Sequence, residues 1–157
     1  MEWVSALGID VGHKRIGVAG CDRLGLLATG LTTLECRSFA AVLQELQGLI
    51  EARQVQVLVV GMPYTMDGQI GTQARRVESF AQKLSRALGL PVEYVDERLT
   101  SYQAEQFLLA EGRSPSRHKA LIDRKAAAII LQQWLDKRQV AQRPSPSDLD
   151  SVSGDPE

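Results

Sequence analysis

The sequence predicts an α/β protein with a five-stranded mixed sheet and helices on both faces. Near the N terminus, two short apolar runs flank a glycine-containing turn, which is typical of a β-hairpin. A continuous apolar run at residues 55–60 is typical of a strand covered on both faces. Stretches with helical spacing separate the later strands, as in crossovers between parallel strands. The chain has 157 residues, enough for one domain with a substantial core.

The first part of the chain predicts an antiparallel meander followed by a helix. Strands are expected at residues 4–9, 16–19 and 24–34, with Gly12 in the first turn. Ser38 is expected to cap a helix that runs to about Arg53, because apolar residues recur there at helical spacing.

The rest of the chain predicts strands alternating with helices. Strands are expected at residues 55–60 and 92–95, and helices at 72–88, from 100 and at 121–138. Gly89 ends the first of these helices, and Gln103 completes a capping-box pattern with Thr100. Long helical crossovers join parallel strands, so strands four and five should run parallel to strand one. Strand one then lies in the centre of the sheet.

Composition separates a domain at residues 1–138 from a tail at 139–157. The tail is rich in proline, serine and acidic residues, so we expect it to be disordered. The tail carries a net charge of −3. Because the whole chain carries −1, the domain carries +2. Such a mild charge excludes a strongly basic nucleic-acid binder, and any such binding must use local patches.

Several further classes of protein are excluded. Cys21 and Cys36 are too few for a disulfide framework or a zinc site. The sequence shows neither a signal peptide nor an apolar run of transmembrane length. We therefore expect a cytoplasmic protein.

Three acidic positions carry the predicted chemistry. Asp10 ends strand one, Glu97 follows strand five beside Asp96, and Asp123 opens the last helix. On the predicted topology all three positions meet at one edge of the sheet. Clustered carboxylates repel each other and are tolerated where hard cations bind, so we expect Mg²⁺ or Mn²⁺ there. Two such ions would support in-line cleavage of a phosphodiester bond.

Each acid also has a simpler interpretation. Asp10 would merely cap a hairpin turn, and Asp123 would only complement the dipole of its helix. Asp96 and Glu97 would pair with Arg98 at the surface. Alternation along the strand puts these two acids on opposite faces, so only one faces the site. We take Glu97 as the ligand and give Asp96 a supporting or structural role.

Basic residues near the predicted edge are candidate phosphate contacts. Any one of them, taken alone, is equally typical of a solvated surface charge. The candidates are Lys14, Arg15, Arg75, Arg76, Arg98, Arg117 and Lys119.

Four segments taken together resemble the YqgF family, also called RuvX, of RuvC-like nucleases with the ribonuclease H fold. They are Gly8–Gly12 continuing to Ala19, Gly61–Pro63 with Asp67-Gly68, Val95–Ser101, and Asp123 leading into Ala126–Ala128. The resemblance covers roughly residues 5–138 and implies an acidic triad of Asp10, Glu97 and Asp123. It differs from RuvC in one respect: RuvC-type sites have two acids near the last helix, and here there is only Asp123.

The resemblance implies a metal-dependent nuclease that matures the 5′ end of pre-16S ribosomal RNA. The alternative is a resolvase of four-way Holliday junctions, which would favour a symmetric dimer. We expect a monomer or weak homodimer that binds RNA or structured DNA and no membrane. Sugar kinases and actin-like ATPases share the first segment, but they need a second domain that this chain lacks. A nucleic-acid-binding module without catalysis is the remaining alternative.

Overall fold

The computed structural model describes residues 3–65, 67–97, 100–114 and 118–142. Within them, five strands form one sheet in the order β3-β2-β1-β4-β5. The strands are β1 Ala6–Val11, β2 Arg15–Cys21, β3 Ala28–Glu35, β4 Val57–Met62 and β5 Val92–Asp96.

Strand pairing follows the predicted topology. β1 pairs with β2, and β2 with β3, in antiparallel ladders, whereas β4 joins β1, and β5 joins β4, in parallel. β1 is therefore the central strand, as predicted. The carboxyl ends of the three parallel strands lie at one edge of the sheet, where α/β proteins commonly bind ligands.

Helices cover both faces of the sheet, which confirms the predicted fold class. The helices are α1 Phe39–Arg53, α2 Thr72–Leu88, α3 Thr100–Ala110 and α4 Lys119–Gln142. α1 and α2 pack on one face, while α4 crosses the other, contacts all five strands and supports α3. The predicted ends of α1 and α2 are confirmed: the Ser38 hydroxyl accepts a hydrogen bond from the Ala41 N–H at 3.1 Å, and Gly89 ends α2 with a φ of 69°.

Alternation along β1 divides the sheet into two cores. Leu7, Ile9 and Val11 are buried against α1 and α2, whereas Ala6 belongs to the smaller core beneath α4. The same alternation places Asp10 on the α4 face. Asp10 is thus a carboxylate on a mostly apolar, helix-covered face of the sheet.

Glycines on the α4 face allow the helix to lie directly on the backbone of the strands. A Cβ atom at Gly17 would be 1.9 Å from the carbonyl oxygen of Asp123. Similarly, a Cβ at Gly8 would be 2.7 Å from the Ala127 carbonyl oxygen. Such distances are far below van der Waals contact, so only glycine permits this approach. We predicted that the small side chains of Ala126–Ala128 let α4 lie close to the sheet, but the contact also requires the glycines of the strands.

The start of β3 differs from the prediction. The strand begins at Ala28 instead of Leu24, because the Asp22 carboxylate accepts hydrogen bonds from the backbone N–H groups of Leu24, Leu26 and Leu27. These bonds fold residues 22–27 into a turn, and the leucines in it are exposed. The apolar run was therefore misleading as a sign of a strand.

The last helix is longer than predicted at both ends. It begins at Lys119 and continues to Gln142, so residues 139–142, which we expected to be disordered, are helical. Residues 143–157 of the predicted tail lie outside the described residues, and so does the side chain of Thr100, on which the predicted capping box depends. In the described part of the chain, no helix is long and apolar enough to cross a membrane.

The close approach at Gly17 leads to a test with a matched control. We expect Gly17→Ala to destabilise the protein by roughly 1–3 kcal/mol, because α4 must move away from β2 to admit the methyl group. Gly48→Ala makes the same chemical change on the exposed surface of α1, where nothing lies within 4 Å of the added atom. It should stabilise the protein by roughly 0.5–1 kcal/mol, as expected for glycine in a helix interior. Urea unfolding of both variants measures this, and equal stability of Gly17→Ala and the parent chain would contradict the packing described.

Candidate active site

Asp10 is positioned by the central strand. It lies in β1 directly opposite Gly17 of β2, and its side chain is partly buried on the α4 face. Since Gly17 has no side chain, the space beside Asp10 is filled by the α4 backbone at Asp123. Strand and helix together hold the Asp10 carboxyl group at the edge where the parallel strands end.

Glu97 reaches Asp10 across an intervening strand. It follows the last residue of β5, and its backbone N–H donates to the Met62 carbonyl of β4 at 3.1 Å. A Cβ at Gly61 would be 2.9 Å from Glu97 Oε2, so Gly61 leaves the room that this side chain needs to pass over β4. The two carboxyl groups, of Glu97 and Asp10, are hydrogen-bonded to each other.

Alternation explains why Glu97, and not Asp96, meets Asp10. Val95 belongs to the core beneath α4, and Glu97 lies two residues further on the same face. Asp96 lies on the opposite face, with α1 and α2.

Burial changes the charge state of the carboxyl pair. Desolvation raises the pKa of Glu97 to about 9, with further increases from the charge of Asp10, from their shared hydrogen bond and from Asp96. Desolvation also raises the pKa of Asp10, while the hydrogen bond with Glu97 lowers it and the charge of Asp123 raises it. At neutral pH the pair therefore retains a proton, so that one carboxyl group donates to the other.

Asp123 approaches the pair but has a different partner. It lies in the second turn of α4, not in the first as predicted. The helix dipole acts mainly on charges in the first turn, so it does not explain an acid at this position. The Arg15 Nε donates to Asp123 Oδ2 at 2.7 Å, with the two side chains 33% and 20% exposed. Among the described residues, no group of three or more histidine, cysteine or acidic side chains is arranged to hold a metal ion. The structure thus joins Asp10 to Glu97 and Asp123 to Arg15.

The basic candidates are dispersed around this edge. Lys14 is exposed in the turn between β1 and β2, and Lys119 is exposed at the first turn of α4, one turn before Asp123. Arg75 and Arg76 are exposed near the start of α2, on the other side of the sheet from the carboxyl pair. Arg98 and Arg117 lie outside the described residues.

Sequence reasoning missed the two glycines that shape the site. Gly17 admits the backbone of α4, and Gly61 admits the side chain of Glu97. The signal of Gly17 was available, because Gly17 lies on a predicted strand, where an isolated glycine indicates close approach of another backbone. Gly61 follows the strand predicted at residues 55–60 and was assigned to a loop. We interpreted both only as parts of sequence motifs.

Solved structures with the same fold include two Holliday junction resolvases. RuvC of Thermus thermophilus in complex with a Holliday junction substrate matches with a TM-score of 0.56 and 16% identity, over 90% of this chain and 99% of that chain. The yeast mitochondrial Holliday junction resolvase matches with a TM-score of 0.51 and 13% identity, over 85% of this chain and 78% of that chain. Identities this low establish the RuvC-like fold alone.

Sequence comparisons establish the family. A protein of Trichormus variabilis named "Putative pre-16S rRNA nuclease" is 66% identical over 138 residues, which are 88% of this chain and 91% of the relative. A protein of Synechococcus elongatus with the same name is 57% identical over 143 residues, 91% of this chain and 96% of the relative. The model of the RuvX family, described as Holliday junction resolvase, matches residues 4–137. The predicted resemblance is therefore confirmed: the chain belongs to the RuvX family.

Proposed function

We propose that this protein is a cytoplasmic, metal-dependent nuclease that processes the 5′ end of pre-16S ribosomal RNA. The observation that carries the proposal is the contact between the partly buried carboxyl groups of Asp10 and Glu97, at the edge of the sheet where the parallel strands end. Two desolvated carboxyl groups in contact destabilise a fold, and such arrangements are concentrated at functional sites. The names of the relatives supply the substrate.

The donor set at this edge suits Mg²⁺ or Mn²⁺. Asp10 and Glu97 offer hard carboxylate oxygens, and Asp123 is near enough for its charge to raise the pKa of Asp10. A divalent cation bound there would activate a water molecule and stabilise the leaving oxygen of a phosphodiester. Asp10, Glu97 and Asp123 are the proposed ligands and catalytic residues.

The other proposed roles belong to the chain's basic residues. Lys14 and Lys119 are exposed beside the carboxylates and would hold phosphates next to the scissile bond. Arg75 and Arg76 would contact the nucleic acid further away, where it passes around the edge to the α2 side. Proton release from the Asp10–Glu97 pair accompanies metal loading, because ligand carboxylates must be ionised.

Cleavage of four-way DNA junctions is the second candidate function. The family description and the RuvC fold favour it, whereas the names of relatives at 57–66% identity favour ribosomal RNA. We propose a monomer or weak homodimer. The deciding experiment offers the protein with Mg²⁺ both a pre-16S leader RNA and a four-way junction. Cleavage of the junction alone would overturn the RNA assignment.

The carboxylate assignment is tested by three variants. Asp10→Asn and Glu97→Gln should each lower the rate of cleavage by at least about 100-fold, the upper end of what outer-shell partners of a metal contribute. Asp96→Asn is the matched control, since it neutralises the neighbouring acid on the opposite face. It should lower the rate of cleavage less than Glu97→Gln does. Single-turnover cleavage with the preferred substrate measures all three. If Glu97→Gln cleaves nearly as fast as the parent chain, Glu97 is not part of the catalytic site.

Metal binding is tested by stability without any substrate. A cation that binds only the folded protein stabilises it by RT ln(1 + [M]/Kd), about 1.4 kcal/mol at ten times Kd. We expect Mg²⁺ to raise the melting temperature of the parent chain and to have much less effect on Asp10→Asn. In EDTA, Asp10→Asn should be at least as stable as the parent, because it removes a desolvated carboxyl group. Equal responses of the two proteins to Mg²⁺ would exclude a site built on Asp10.

The raised pKa of Glu97 predicts how stability depends on pH. The group titrates near 4.5 in the unfolded chain and near 9 in the folded one, so between these values the folded state binds more protons. Its contribution is therefore fully favourable below about pH 4.5 and declines as the pH rises towards 9. We expect the free energy of unfolding in EDTA to fall over this range in the parent and to be flatter in Glu97→Gln. Urea unfolding at several pH values measures the difference, and parallel curves would show that Glu97 is not desolvated.

A further inference from the structure

We propose that Arg15 is a positioning residue that exchanges partners: it holds Asp123 in the metal-free protein and turns to a substrate phosphate once a cation takes Asp123. The inference rests on the proposed metal site and assigns a specific role to one residue near it. It starts from the Arg15–Asp123 contact of 2.7 Å, which joins residues 108 positions apart.

Arg15 is bound to the carboxylate of Asp123, the third acid of the proposed metal site. Asp123 Oδ2 accepts from Arg15 Nε, so a cation that binds this oxygen competes with the guanidinium for it. The backbone of Asp123 is fixed against Gly17 and is not free to withdraw. The side chains must therefore rearrange for Asp123 to join Asp10 and Glu97 around one ion.

Arg15 is suited to move. It lies at the start of β2, where its carbonyl accepts from the Gly12 N–H at 2.9 Å, so its backbone is anchored by the hairpin turn. Its side chain is one-third exposed, which leaves room for other rotamers. On the neighbouring strand it faces Glu35, whose carboxylate already pairs with Arg37 at 3.1 Å. The charge of Glu35 is thus already partly neutralised, which weakens its attraction for a released guanidinium.

The released group would face substrate. A guanidinium offers five N–H donors in a planar fork that matches a phosphate, and Asp10, Lys14 and Arg15 share the hairpin at the edge of the sheet. Metal loading would then increase affinity for the nucleic acid, because it supplies a phosphate ligand that was previously paired with Asp123. The cation and the substrate would bind cooperatively through one side chain.

The test is a double-mutant cycle in metal affinity, measured by Mn²⁺ titration calorimetry in the absence of nucleic acid. Arg15→Met should tighten Mn²⁺ binding about tenfold, since the competing charged hydrogen bond is gone. In an Asp123→Asn background the same change should have little effect, because the competition no longer exists. Arg15→Lys, which keeps the charge, guards against misfolding of the methionine variant and should tighten binding less.

Arg124→Met is the matched control. Arg124 follows Asp123 on α4 and donates to the Thr33 hydroxyl at 3.2 Å, so this variant removes the same charge nearby without removing a partner of Asp123. It should change Mn²⁺ affinity much less than Arg15→Met. Equal effects of Arg15→Met in both backgrounds, or equal effects of Arg15→Met and Arg124→Met, would show only a general charge effect and overturn the proposal.

A second measurement tests the contact of Arg15 with substrate phosphate separately from its release by Asp123. With saturating Mn²⁺, Arg15→Met should raise the KM for the preferred nucleic acid about tenfold and change kcat less, because a phosphate contact is lost. An unchanged KM would overturn the transfer to phosphate. Failure of the parent chain to bind Mn²⁺ at all would instead overturn the proposed function, so the two failures are distinguishable.

Discussion

The site depends on one packing contact, the approach of the α4 backbone to β2 at Gly17. The carbonyl oxygen of Asp123 occupies the space that a side chain would take at position 17. Further along the helix, Ala127 lies over Gly8 and Arg124 over Gly30, so the contact extends over three strands. Packed interiors do not deform continuously. The helix therefore has a single position on the sheet, and with it Asp123 has a fixed place beside Asp10.

A second constraint is the desolvation of two carboxyl groups. Asp10 lies on the apolar α4 face, and Glu97 reaches it over Gly61. Desolvation of this kind opposes folding, and the pair lessens the penalty by retaining a proton. Stability and the proposed function are therefore opposed at this edge, since a cation requires the charged forms that burial disfavours. Functional sites commonly break the local rules that the rest of a fold obeys.

Much of the fold could be predicted from the sequence because it depends on local periodicity. Crossover rules predicted the central β1, and alternation along the strands predicted that only one of Asp96 and Glu97 faces the site. Alternation did not decide which of the two acids it is. The features that could not be predicted depend on single side chains. Asp22 folds an apolar run into a turn, and Arg15 pairs with Asp123, 108 positions away. No periodic pattern encodes such pairs. The glycines were visible, but their role appears only when the facing helix is known.

The metal-free protein neutralises its acids in two ways, and the difference follows from the strands and the helix that carry them. Asp10 lies in β1 and Glu97 directly follows β5 of the same sheet, which brings the two carboxyl groups into contact, so they share a proton. Asp123 comes from the helix, where it meets the arginine that begins β2. In the function we propose, a cation must replace both a proton and a guanidinium. Binding of the cation then depends on pH through the Asp10–Glu97 pair, and through Arg15 it is coupled to binding of the substrate's phosphates.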